Sequence, residues 1–144
     1  MERKPQSFVN HAKYDPPFHF FLLPVMAITI IVAVVYLFRV PGLLSGWFVV
    51  LAFAGLVAVG RMRSYATHLQ DRVIRLEERL RLASILQEPL RSRAGELADS
   101  QLIGLRFASD AELPGLAQRA VDEKLDRAQI KKAVANWRPD YSRV

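Results

Sequence analysis

The side chains best suited to metal binding or acid–base chemistry are three histidines, His11, His19 and His68, and an acidic group, Asp110, Glu112, Asp122, Glu123 and Asp126. Neutral imidazole is a common metal ligand. If the two apolar runs described below both cross a membrane, all three histidines fall on the same side, and a metal or haem site is geometrically open. Interfacial anchoring of His19 among Phe18, Phe20 and Phe21, with solvent around the other two, accounts for them without a ligand. Of the carboxylates, Glu112 and Asp126 have helix-capping spacing. Carboxylate catalysis would also need a pocket larger than so short a helical segment forms. The chain has no Cys, which excludes disulfides and thiolate metal sites. No phosphate loop, dinucleotide fingerprint, nucleophile elbow or His-Glu-x-x-His motif occurs. No catalytic residue, cofactor or metal is therefore expected, and the chain is read as non-enzymatic.

The elements that would position these residues start with two long apolar runs. Phe18 to Phe38 has no acidic or basic side chain apart from His19, and Leu43 to Gly60 has no charge at all. A helix needs about 20 mainly apolar residues to cross the hydrocarbon core of a bilayer, so both runs are read as spans. The first is too long for the apolar part of a signal peptide, and Phe38-Arg39-Val40-Pro41 offers no small-x-small cleavage site. Pro24 should kink the first span. Thr29 with Ala33, and Ala54 with Ala58, form small-xxx-small pairs that permit close helix contact. Neither span holds a carboxylate or lysine for ion coupling. A homo-oligomeric pore lined by Thr29, Tyr36 or Ser45 stays open.

The net charge of +6 is concentrated beside the spans. Arg3, Lys4 and Lys13 precede the first span and Arg39 lies in the turn. Arg61 and Arg63 follow the second span and are placed to meet lipid headgroups. Short basic flanks stay in the cytoplasm. A hairpin is expected in the cytoplasmic membrane, multi-pass, with both termini cytoplasmic and the turn around Val40-Pro41-Gly42 outside.

No proline interrupts Gly46 to Glu88, so the second span is expected to continue as one cytoplasmic helix. Met62, Ala66, Leu69, Val73, Leu76, Leu80 and Ala83 recur at alternating steps of four and three, the a/d seam of a coiled coil. Leu69, Val73, Leu76 and Leu80 are its core. The seam must bury itself against the C-terminal helices or against the same helix of another subunit. Asp71 with Arg75, and Glu77 with Arg81, have the acid-first i,i+4 order that stabilises a solvated helix.

Pro89 is expected to end this helix. Three short helices follow: Ser100 to about Phe107 capped by Asp99, a second starting at the Ser109/Glu112 capping-box spacing and running to about Lys124, and a third from the Asp126/Gln129 box to about Trp137. Their apolar positions, Leu102 to Trp137, can close a small core with Leu80 or Leu86. About 45 residues are few for independent stability, which argues for docking on the long helix or on a neighbour. A helix-turn-helix DNA reader is weighed against the charge of this region, which is neutral overall, while DNA affinity comes largely from phosphate neutralisation.

The expected fold is thus an all-α integral membrane protein: a two-helix transmembrane hairpin whose second span continues into a long cytoplasmic helix followed by three short helices. Its segments are an N-terminal stretch 1–17, span 18–38, turn 39–42, span 43–60, amphipathic helix 61–88, linker 89–95 and a helical region 96–144.

Four blocks carry a family resemblance: Asn10-His11 with Pro16 to Phe21, Arg75 to Leu82, Arg106 to Pro114, and Asn136 to Tyr141. Together they resemble an uncharacterised family of small bacterial two-span membrane proteins, a domain of unknown function. Ser142 stands where that family has an aromatic residue. The resemblance implies a bacterial two-span protein with a helical tail and implies no activity.

The leading functional expectation is a membrane-anchored scaffold, self-assembling or accessory to a larger membrane complex. Its partners would be the lipid bilayer and either copies of itself or another membrane protein. Leu69, Val73, Leu76 and Leu80 would carry self-association or tail docking, and Arg138, Asp140 and Tyr141 would meet a partner. The alternatives are a homo-oligomeric channel or lipid-handling assembly and, third, a membrane-tethered DNA-binding module; nucleic acid is the least expected partner.

Overall fold

The structure is a computed structural model and describes residues 7–8 and 15–140. Tyr141, His11 and the basic residues before the first span lie outside the described residues. The chain is helical, with no β-strand among the described residues. It divides into two compact units, the break falling inside one helix between His68 and Leu69.

The first unit is a pair of helices. Helix α1, Pro17–Arg39, and the first part of α2, Leu43–Ile85, are long and apolar enough to cross a membrane. Only 6% of the first apolar stretch and 11% of the second are buried, whereas a core helix of a soluble protein is mostly covered. α1 opens as a π-helix over Pro17–Leu22, directly before Pro24. That proline has no N–H to give the Phe20 carbonyl and its ring crowds it, and a wider turn relieves both. The turn between the helices is tied by Ser45, whose hydroxyl donates to the carbonyls of Val40 at 2.7 Å and Gly42 at 2.9 Å.

Ala33, Ser45 and Ala52 are buried in this pair, and a Cβ on Gly55 would meet Met26 Sδ at 3.4 Å. Ala54 and Ala58 are exposed. The small residues that α2 turns toward α1 are thus Ala52 and Gly55, not the Ala54/Ala58 pair: at about 100° per residue Ala54 lies roughly opposite Ser45 and Ala52. Thr29 donates back to the Val25 carbonyl at 2.7 Å.

The second unit packs four short helices on the rest of α2: α3 (Leu90–Arg93, continued as a 3-10 turn Ala94–Glu96), α4 (Asp99–Leu105), α5 (Leu113–Asp122) and α6 (Arg127–Ala133). The core joins Leu82 of α2, and Leu86 just past its end, to Leu102, Leu105, Phe107, Leu113, Ala117, Ala120 and Ile130. Leu80, by contrast, is exposed. α2 ends at Ile85, before Pro89, and residues 90–96 are helical where the composition reads as linker.

A side-chain cap starts α6. Asp126 accepts from the N–H groups of Ala128 and Gln129 while Gln129 Oε1 takes the Asp126 N–H, a full capping box. α4 starts differently from the expected Asp99 cap: Gln101 Oε1 accepts the Ala98 N–H at 2.8 Å, and its amide nitrogen donates to the carbonyls of Ala120 and Leu125. This buried amide staples α4 to the end of α5. Gly104 lets α4 approach α6, since a Cβ there would lie 3.1 Å from Ile130 Cγ2.

The chain beyond Ala133 is extended rather than helical to Trp137. Ala108 and Trp137 form an isolated antiparallel bridge, with Ser109 N–H donating to Asn136 at 3.1 Å and Arg138 N–H to Phe107 at 2.8 Å. Glu112 holds this segment: its carboxylate accepts the N–H groups of Ser109, Ala135 and Asn136. Backbone groups that a helix would have paired internally are thus satisfied across the chain.

Candidate interaction surface

Within the second unit, α2 has two faces with different fates. One carries Ile74, Glu78, Leu82 and Leu86, all buried, at the i, i+4 spacing of one helix side. The other carries Leu69, Val73, Leu76 and Leu80, all exposed. Glu78 lies about 180° around the helix from the middle of this second stripe. The short helices therefore dock on the face opposite the seam, and Leu69, Val73, Leu76 and Leu80 take no part in holding them.

Ion pairs fasten the docked face. Arg81, only 10% exposed, reaches Glu78 at 3.1 Å and Asp110 Oδ1, and donates to the Ala108 carbonyl at 2.7 Å. Arg138 reaches Glu78 from the extended segment at 3.4 Å. Arg75 and Arg79 both pair with Asp99. Both expected helix-surface pairs are replaced: Arg81 leaves Glu77 for Glu78 and Asp110, and the Arg75 guanidinium leaves the Asp71 carboxylate for Asp99. Asp99 and Asp110 keep 52% and 74% of their side-chain surface exposed, so of these contacts the one with the buried Glu78 is the shielded one. Burial pushes the Glu78 carboxyl above its ordinary value, against the opposing pull of Arg81 and Arg138 and with Glu77 adding to the rise.

A second cluster surrounds Phe107, which is fully buried. Arg106 lies 4.4 Å over its ring, Lys131 Nζ 5.3 Å from the centroid, and the Trp137 ring 4.8 Å away. Cations over an aromatic face are favourable, and more so when desolvated. Asp140 pairs with Arg106 at 3.2 Å. Arg138 and Asp140, read from sequence as partner contacts, therefore serve inside the fold as counter-ions to Glu78 and Arg106. The Arg138 side chain keeps half its surface exposed.

In the first unit Arg63 pairs with Asp15 at 3.4 Å and lies 5.5 Å over the Phe18 ring. Arg61 is exposed beside Tyr65. Of the two arginines expected at lipid headgroups, Arg61 is the more available. His19 engages the Asp15 carbonyl through Nδ1 at 2.8 Å. Among the described residues no group of three His, Asp or Glu is placed to hold a metal ion.

Sequence reasoning missed Glu78, Asp110 and Arg106 as structural charges. The one signal for Glu78 was its position four residues from both Ile74 and Leu82.

No curated protein and no solved structure matches the chain. A family model covers residues 1–144, and by that match the chain belongs to a family of unknown function, DUF6526.

Proposed function

We propose that this protein is a non-enzymatic, membrane-anchored interaction protein of the bacterial cytoplasmic membrane. Its two apolar helices insert as a hairpin with both termini cytoplasmic. The largely uncovered apolar surfaces of α1 and of the first part of α2 suit lipid, and Arg61 and Arg63 at the end of the second apolar stretch suit the cytoplasmic interface. The observation that carries the interaction reading is the apolar stripe Leu69, Val73, Leu76 and Leu80. It stays exposed although the second unit has already closed its own core. Contiguous exposed apolar surface of this kind marks a contact with another macromolecule.

The test is gentle extraction from the native membrane, with the mass of the particle measured and bound polypeptides identified. A particle larger than one chain is expected, and changing both Leu76 and Leu80 to Asp should reduce it to the single chain. Protease resistance of the region after Pro89 should survive that change, because the stripe lies away from the docking face. A monomeric wild-type particle would refute the proposal.

A further inference from the structure

The face of α2 between Leu69 and Ala83 has the pattern of a two-stranded contact, and we infer that it pairs with the same face of a second copy, the two helices parallel and in register. This rests on the interaction reading above and names the partner. Leu69, Val73, Leu76 and Leu80 are 63%, 48%, 61% and 64% exposed. With Ala83 they form a stripe about 80° wide at about 100° per residue. Steps of four and three place Leu69 and Leu76 at d positions and Val73 and Leu80 at a positions. A β-branched residue at a between leucines at d favours two parallel strands, and Val73 between Leu69 and Leu76 meets that pattern, while Leu80 at a does not add to it.

The charges beside the stripe select the orientation. Arg72 flanks it at a g position and Glu77 at an e position on the other side. In a parallel, in-register pair a g residue meets the e residue five positions further along the other helix. Arg72 then meets Glu77 of the second copy, twice by symmetry. An antiparallel pair would bring g against g, setting Arg72 against Arg79. Arg72 and Glu77 form no hydrogen bond or ion pair among the described residues, whereas Arg75 and Arg79 pair with Asp99 of α4 and Arg81 with Asp110 of the loop before α5. Arg72 and Glu77 are both exposed, and as the oppositely charged g and e residues beside the stripe they are the couple that a second copy would use.

The chain lacks cysteine, so single-cysteine variants of the full-length protein report cleanly in native membranes. Under mild oxidation Leu76→Cys should form a disulfide-linked dimer, and Ala128→Cys, exposed on α6, should not. Arg72→Glu alone and Glu77→Arg alone should each weaken dimerisation about ten-fold, and the two combined should restore it. Cross-linking of Leu76→Cys no greater than that of Ala128→Cys would overturn the inference, as would charge reversals that are neutral or fail to rescue each other. A complex with a different polypeptide and no Leu76→Cys cross-link would leave the interaction reading standing and remove the second copy. A bare monomer would remove both.

Discussion

Arg81 turns away from Glu77, four residues before it, and closes on Asp110, bonding through both Nε and Nη2. That choice ties the long helix to the loop before α5. The same guanidinium also supports the buried Glu78 carboxylate.

Arg81→Ala should therefore destabilise the second unit by roughly 3 kcal/mol, because it strips a buried carboxylate of its main partner. The exposed Asp110 adds little to that figure. Glu77→Ala, which removes only the partner suggested by sequence spacing, should change the stability of the dilute, detergent-solubilised protein by no more than about 0.5 kcal/mol. Thermal unfolding with limited proteolysis after Pro89 would check both, and equal effects would contradict the geometry.

Glu112 gathers three backbone N–H groups from two separate stretches of chain. Replacing it with Ala leaves them without that acceptor and should cost about 1–3 kcal/mol. Hydrogen exchange provides the local readout: the amides of Ser109, Ala135 and Asn136 should exchange faster, and those inside α4 much less so. Uniform acceleration would show that Glu112 does not hold this segment in particular.

The pH response follows from Glu78. Its folded carboxyl is harder to ionise than an ordinary one near 4.5, chiefly through burial, so the folded unit binds that proton more tightly than the unfolded chain. Its contribution must then grow more favourable as pH falls through the raised folded value toward 4.5, and must be least favourable above it. Asp122 is held down by Gln118 and Arg93, and Glu123 by Arg119; they act in the opposite sense, losing stability as pH falls. Comparison with Glu78→Gln isolates the Glu78 part. The Tm of the wild type relative to this variant should rise as pH is lowered toward 4.5, and a pH-independent difference would count against the raised value.

Gly104 allows the close approach of α4 to α6. Valine there would press on Ile130, and overpacking of this kind costs about 1–3 kcal/mol. The loss should appear as a lower denaturation midpoint. A gain in stability would mean that α6 can move aside.

Local signals in the sequence were read well where the structure they specify is also local. The Asp126/Gln129 box forms as its spacing implies, and apolar residues such as Leu102, Leu105, Phe107, Leu113 and Ile130 are buried as their character implies. The stripe Leu69 to Leu80 was visible for the same reason, although periodicity cannot say which of two helix faces a neighbour will take. Leu82 was passed over because it falls outside the seam, yet its face received the docked helices. The segment after Ala133 was read as helix because nothing nearby announces its partners. Its extended form depends on Glu112 and on Phe107 and Ser109, more than twenty residues back in the chain, with Pro139 disfavouring helix at Arg138. Charge pairing departs for a related reason: i,i+4 spacing predicts the partner of a lone helix, and docking brings other carboxylates within reach of Arg75 and Arg81.

The clasp formed by Glu112 has a bearing on the order of events during synthesis. Every leucine of the buried cluster leaves the ribosome before Ala135, Asn136, Arg138 and Asp140. A growing chain thus holds every leucine of that cluster while it still lacks the N–H groups that fill Glu112 and the charges that meet Glu78 and Arg106. Contacts so distant in chain order form late, since their loop-closure entropy must be met first. The Glu112 clasp should therefore close last, on a cluster whose leucines have all already been made.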